Sequence, residues 1–327
     1  MEEAPRVVLL GGGTGSYELL LGLKEWTPHL TAVVNMCDDG GSTGRLRADY
    51  GVMPPGDIRQ CLTALAGDDV LARAFSHRFL DGDLAGHAAG NLLLAALELE
   101  TGDFSVAVQK AADMLKCTGE ILPVTLTNHT LVMQDGETII RGQERVRLHG
   151  IDHGPTKVWL EPAAVVTPEV RGAIARADVV ILAPGGLNWT LLPICVVDGV
   201  AEALQNTKAQ VVCVTNLMNR PEQHAGWHVV DYVREFQKYV GETTIDTVVY
   251  NTQAVTGTLL ERYQAVGEEP VGILPERFRE VMVRCVGADL LAHVAAEQNP
   301  ADRAVPRARI RHDGHKTTTA IRNTIAP

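Results

Sequence analysis

The chain has 327 residues, 46% hydrophobic and 21% charged, which is enough for a large packed core and unlike a disordered or low-complexity chain. A formal charge of -11 argues against non-specific attachment to nucleic acid or to an anionic membrane, so local groups must hold any anionic ligand. No apolar run approaches a membrane span, Met1-Glu2-Glu3 is unlike an ordinary signal peptide, and the six cysteines form no C-x-x-C pair, so a soluble cytoplasmic protein with reduced cysteines is expected.

The first predicted element is a buried strand, Val7–Leu10, which enters Gly11-Gly12-Gly13-Thr14-Gly15 and then an apolar helix, Tyr17–Trp26. Amides at such a helix start have no partner within the helix, and the helix dipole adds partial positive charge, so the place suits a phosphate. Glycine permits positive φ and puts no Cβ between backbone and ligand. A tight turn without a ligand has the same outline. The dinucleotide fingerprint G-x-G-x-x-G is not met, because Ser16 holds its last place, and no Gly-Lys-Ser/Thr follows. The turn therefore indicates a nucleotide or sugar phosphate without choosing NAD or ATP.

A second strand, Thr31–Met36, leads into Cys37-Asp38-Asp39-Gly40-Gly41-Ser42-Thr43-Gly44-Arg45-Leu46-Arg47, read as a second loop rich in amides and hydroxyls. Asp38 stands where an acidic residue can reach a ribose hydroxyl, or Asp38 and Asp39 together can hold a Mg²⁺ that bridges phosphates. Ser42 and Thr43 offer hydroxyls and Arg45 a bidentate phosphate clamp. Pro54-Pro55-Gly56-Asp57 opens a helix over Ile58–Ala66, where Asp57 is either a cap or a ligand contact. Gly86-His87 and Gly90-Asn91 stand at the start of the helix Ala88–Glu100, with His87 and Asn91 as candidate hydrogen-bonding groups.

A helix follows at Phe104–Lys116, with Asp103 as its cap. The segment Leu122 to Leu160 alternates polar and apolar residues around Asp135-Gly136, a hairpin signal, and reads as an antiparallel insertion. A structural role, covering an edge or a dimer surface, is expected for it ahead of ligand contact. The helix Glu169–Ala177 and the strands Val179–Ala183, Val211–Thr215 and Thr247–Tyr250 restore the alternation, with helices at Val229–Val240 and Leu259–Ala265. Pro184, Gly185, Gly186 and Asn188 form a third glycine junction, and Asn216 ends the next strand. From Pro300 the chain is richer in arginine, with a strand expected at Ala308–Arg311 and a short helix after Lys316.

The fold expected is α/β, a three-layer Rossmann-like and mostly parallel sheet with an antiparallel β-hairpin insertion. Residues 1–299 form one domain, with the insertion at about 122–160, and 300–327 are its C-terminal strand and helix. In such a sheet ligands bind beyond the carboxyl ends of the strands. Three glycine junctions on one edge make a long slot suited to a nucleoside diphosphate conjugate. No nucleophile elbow or H-E-x-x-H pair is present, so catalysis is permitted and not required. An NAD-dependent oxidoreductase is disfavoured by Ser16 and by the lack of a proton relay. The sequence leaves homo-oligomer formation open.

Taken in order, these motifs, with Leu122-Pro123-Val124-Thr125, Asn216 with Met218 and Arg311-His312-Asp313, resemble the YvcK-like gluconeogenesis factors. These are relatives of the CofD 2-phospho-L-lactate transferases. The resemblance covers almost the whole chain. It implies a cytoplasmic UDP-sugar-binding protein needed for growth and cell shape on gluconeogenic carbon, and Arg311 as a nucleotide-sugar contact. The transferase branch implies Mg²⁺-dependent movement of a phospholactyl group from a guanosine diphosphate conjugate to a deazaflavin. Asp38-Asp39-Gly40-Gly41-Ser42-Thr43-Gly44-Arg45, running on to Pro54-Pro55-Gly56-Asp57, resembles the YvcK branch. Two stretches depart from the family pattern. Ala183-Pro184-Gly185-Gly186-Leu187-Asn188-Trp189-Thr190 stands for Gly-Pro-Gly-Ser-Leu-Tyr-Thr-Ser, and Asn219-Arg220-Pro221-Glu222-Gln223-His224 stands for Thr-Gln-Pro-Gly-Glu-Thr. The departures imply a different sugar or partner at that end.

Overall fold

The computed structural model describes residues 4–151, 156–293 and 310–325. Its centre is a seven-stranded sheet in which every pairing is parallel. The strands in chain order are β1 (Val7–Gly11), β2 (Leu30–Val34), β3 (Glu120–Pro123), β4 (Thr130–Asp135), β5 (Thr138–Arg141), β6 (Lys157–Glu161), β7 (Val179–Leu182) and β8 (Gln210–Val214). They are followed by β9 (Met218–Asn219), β10 (Thr247–Asn251), β11 (Glu269–Pro270) and β12 (Arg284–Ala288). Across the main sheet the order is β12-β10-β8-β7-β1-β2-β3. The chain thus winds outward from β1 in one direction through β2 and β3, then returns to β7 and winds outward the other way. Right-handed crossovers place helices on opposite faces for the two directions, and a crevice opens where the direction reverses, between β1 and β7.

The apolar runs explain the layering. All five residues of β1 and all four of β7 are buried, as strands covered on both faces require. On one side α1 (Gly13–Trp26) packs against α3 (Pro55–Leu65) and the C-terminal helix Gly314–Ile325, and α4 (Asp69–Ser76), α5 (Ala89–Thr101) and α6 (Phe104–Leu115) follow α3. On the other side the helices Pro168–Arg176, Val200–Asn206 and Val229–Val240 pack in series. Among the described residues no helix is long and apolar enough to cross a membrane. All six cysteines are free, four of them buried in the core.

Several expectations shift. The second glycine loop is in large part a helix, α2 (Gly41–Tyr50). Its glycine, serine and threonine have weak helix propensity, yet Ser42, Thr43 and Leu46 are buried, and packing overrides propensity. Leu122 and Pro123 belong to β3, the parallel edge strand, so the insertion starts after them. A proline at the end of an edge strand costs no ladder bond. The insertion itself is a three-stranded antiparallel sheet, β5-β4-β6, with a short helix attached. Its turn residues are Gly136 and Glu137, one place later than expected, with Gly136 at φ 58 in the first central position. The edge strand β12 is an element the apolar pattern did not reveal, being flanked by charge and only half-buried. At the C-terminus residues 308–309 of the expected strand lie outside the described residues, Ile310 and Arg311 are not in a strand, and the helix starts at Gly314, earlier than expected.

Candidate ligand-binding cleft

A cleft of about 1300 Å³ lies at the carboxyl edge of the sheet, over the reversal point. Its floor is the turn after β1, lined by Gly12, Gly13, Thr14 and Gly15. The helix α1 starts at Gly13, so the first-turn amides, which have no partner inside a helix, lie at this floor. Gly13 has φ 65, which a side chain rarely tolerates. A Cβ on Gly15 would collide with the carbonyl of Pro184, so this glycine lets α1 approach the turn after β7. Gly11 is not part of the lining: its Cα faces Ser16 and Ala183 in the packed end of β1, which corrects its expected ligand role.

The wall after β2 comes from α2 and its neighbours. Asp38, Gly41, Ser42, Thr43 and Arg45 all line the cleft, opposite the glycine turn. Asp38 accepts from Gly40 N at 3.1 Å, and burial pushes its carboxyl up, opposed by hydrogen bonds from Thr43 and Gly40. Asp39 turns away. Its two oxygens accept from Gln143 N and Glu144 N, each at 2.8 Å, and so hold α7 (Gln143–Leu148), the helix of the insertion. The expected Asp38–Asp39 ligand pair is therefore split, one carboxylate in the cleft and one spent on a helix start. Among the described residues no group of three His, Cys, Asp or Glu side chains is placed to hold a metal.

Asn91, Ser42 and His87 form one chain of bonds. Arg59 Nε donates to Asn91 Oδ1 at 3.0 Å, and Asn91 Nδ2 donates to Ser42 Oγ at 3.1 Å. Ser42 Oγ also lies 3.0 Å from His87 Nδ1, which joins the imidazole to the same chain. Burial, with Arg45 and Arg78 nearby, lowers the His87 pKa. His87 thus stands behind Ser42 and outside the lining, whereas Asn91 lines the cleft from a buried position. Asp57 lies in the first turn of α3, whose N-cap is Pro54, and its carboxylate sits against the Gly12–Gly13 turn.

The wall after β7 and β8 comes from the two stretches that depart from the family pattern. Pro184, Gly185 and Gly186 line the cleft before a single turn of π-helix, Leu187–Leu191. Asn216 also lines it, but its amide is committed: Oδ1 accepts from Gly185 N at 2.8 Å, and Nδ2 donates to Gly185 O at 3.0 Å. It clamps the β7 turn, a positioning task rather than the expected reading of a base or sugar. Asn188 is 2% exposed and outside the lining, with Nδ2 donating to Gln223 Oε1 at 3.3 Å, so it braces one loop on the other. Arg311 does line the cleft and pairs with Glu18 at 2.8 Å.

Among the described residues seven arginines and five carboxylates line the cleft, a local excess of cations in a chain of formal charge -11. Amides at helix starts, hydroxyls and arginines are the donors that anionic oxygens need. The family model described as 2-phospho-L-lactate transferase CofD matches residues 7–291. The chain belongs to the CofD family. The Gluconeogenesis factor of Bacillus subtilis is 32% identical over 326 residues, 98% of each chain. That of Listeria monocytogenes is 35% identical over 286 residues, covering 83% of this chain and 87% of the relative. The crystal structure of Bacillus halodurans BH3568, described as a member of the UPF0052 family, superposes with a TM-score of 0.88 at 31% identity, covering 98% and 99% of the two chains.

Within this CofD-family cleft, residues that the sequence did not mark complete the lining. Arg147 and Glu144 reach it from α7 and bond each other at 2.6 Å, so the insertion takes part in the site, contrary to its expected edge-covering role. No local spacing signals them. His312 accompanies Arg311: its Nε2 donates to Thr215 O at 3.1 Å, and burial lowers its pKa to about 4. Trp189, Arg220 and His224 sit within the two departing stretches, and that departure was the available signal.

Proposed function

We propose that this protein binds a nucleoside diphosphate sugar, with a UDP-sugar as the ligand class, and acts in the cytoplasm as a gluconeogenesis factor that supports cell shape. The diphosphate rests on the first-turn amides of α1, faced by Ser42, Thr43 and Arg45 of α2. The observation that carries this reading is the meeting of the Gly12–Gly15 turn with the start of α2 in one arginine-lined cleft at the sheet's reversal point. A cleft of about 1300 Å³ exceeds what one small anion fills. The family's transferase chemistry is the second reading, favoured by the match to the CofD model. The commitment of Asp39 to α7 weakens its metal-dependent form.

A calorimetric panel of UDP-sugars, guanosine diphosphate compounds and NAD, each with and without Mg²⁺, tests the choice. Saturable heat with UDP-sugars and no turnover supports the binding protein. Turnover of a guanosine diphosphate conjugate with a deazaflavin overturns it.

A further inference from the structure

We propose that Trp189, Arg220 and His224 form an acid-recognising subsite, so that the ligand is a nucleoside diphosphate conjugate of a carboxylate-bearing sugar. The proposal rests on the nucleotide-sugar reading and adds the chemistry of the sugar. The Arg220 guanidinium carbon lies 5.1 Å from the centroid of the Trp189 ring, and both residues line the cleft. Among the described residues no carboxylate pairs with Arg220, whereas Arg147 and Arg311 of the same cleft face Glu144 and Glu18. A guanidinium stacked on an indole keeps its edge N–H groups for a planar bidentate acceptor, which a carboxylate supplies.

The platform beneath Arg220 is held from several sides. Trp189 folds back over Gly186, where any Cβ would overlap the indole. Asn188 bonds Gln223, and Gln223 Nε2 donates to Val146 O at 2.8 Å, tying both loops to the insertion helix. Such bracing lowers the cost of ordering an arginine on binding. Beside it His224 is 2% exposed, packed against Trp227 and Tyr232, and lines the cleft. Among the described residues its Nε2 is buried without a hydrogen-bond partner. Buried polar atoms are almost always paired, and a ligand oxygen at this end supplies the missing bond. A neutral sugar leaves the Arg220 charge uncompensated once water is excluded, and that asymmetry gives discrimination.

The test is calorimetry on the full chain with UDP, UDP-glucose and UDP-glucuronate, the last two differing at the carboxylate. UDP-glucuronate is expected to bind about ten-fold or more tightly than UDP-glucose. That ratio should fall towards one in Arg220→Gln and narrow in Trp189→Leu. Should these variants fail to fold, the wild-type ratio still decides, and it should shrink as salt rises from about 0.05 M to about 0.5 M. Equal affinities for the two conjugates in wild type, or an equal loss for both in Arg220→Gln, overturn the proposal. If none of the three compounds binds, the nucleotide reading fails and the subsite falls with it. UDP-glucose binding without preference for the acid fails the subsite alone.

Discussion

The wall of the cleft after β2 and the wall after β7 and β8 hold their arginines differently. On the first, Arg45 donates to Ala85 O at 2.9 Å, Arg59 to Asn91, and Arg147 to Glu144, so each cation is fixed by an oxygen acceptor. On the second, Arg220 rests on an aromatic ring. Acceptor-held arginines are pre-aimed but have spent part of their hydrogen-bonding edge, whereas a ring-held one keeps that edge for a ligand. The first wall suits an invariant part of a ligand, such as the diphosphate, and the second suits the part that varies.

The largest expected effect is at the floor that both walls share. Gly13→Val places a β-branched residue at φ 65, so UDP-sugar affinity should fall by about a hundred-fold or more in calorimetry. Unfolding in urea should show a stability loss on the order of 1–3 kcal/mol. Retained affinity would break the assignment of the floor.

Next, Asn91→Ala removes the acceptor of Arg59 Nε and the donor to Ser42. A loss of about 1–3 kcal/mol by denaturant titration is expected. The His87 imidazole resonances should then shift in the NMR spectrum, because Ser42 Oγ, 3.0 Å from His87 Nδ1, has lost the Asn91 donor that fixes it. An unmoved His87 signal would show that the first wall is not one network.

The walls also differ in pH response. Burial holds the His224 and His312 pKa values at about 4, below the ordinary imidazole value of 6.5. Between about pH 4 and 6.5 the unfolded chain then binds more protons than the folded one, so stability rises with pH across that window and is lost as pH falls. Each group carries on the order of 2–3 kcal/mol of this dependence. Asp38, with its carboxyl pushed up, acts in the opposite sense above its ordinary value. Thermal melts from pH 4 to 7 should therefore be flatter in His224→Phe than in wild type, the ring packing being kept. An unchanged slope would place the sensitivity elsewhere.

A smaller effect is expected from Asp39→Ala, which leaves Gln143 N and Glu144 N without their acceptor. Loss of a helix cap costs about 1 kcal/mol, visible as a lower melting temperature. Arg141→Gln, which breaks the exposed Arg141–Glu161 pair, should leave melting unchanged and serves as the baseline.

Much of the first wall and the floor was legible in the sequence, because glycine turns after buried strands report both a backbone shape and a place on the sheet edge. The sheet was legible for the same reason, since β1, β7 and β8 are continuous apolar runs. What the sequence hid is tertiary. Asp39 and Asp38 are neighbours in the chain, yet only the distant amides of Gln143 and Glu144 distinguish their tasks. Asn188 and Asn216 have the chemistry of ligand contacts, and their partners Gln223 and Gly185 lie about thirty residues away and claim them first. Arg147 enters the cleft on an insertion whose alternating pattern speaks only of a hairpin.

A crystal structure of the protein with a UDP-sugar tests the central claim most directly. The account predicts diphosphate oxygens within hydrogen-bond distance of the Gly13–Gly15 amides, with Ser42, Thr43 or Arg45 on the opposite side. A diphosphate seated away from that turn, with the Gly13–Gly15 amides bonded to protein groups in the complex, would contradict it.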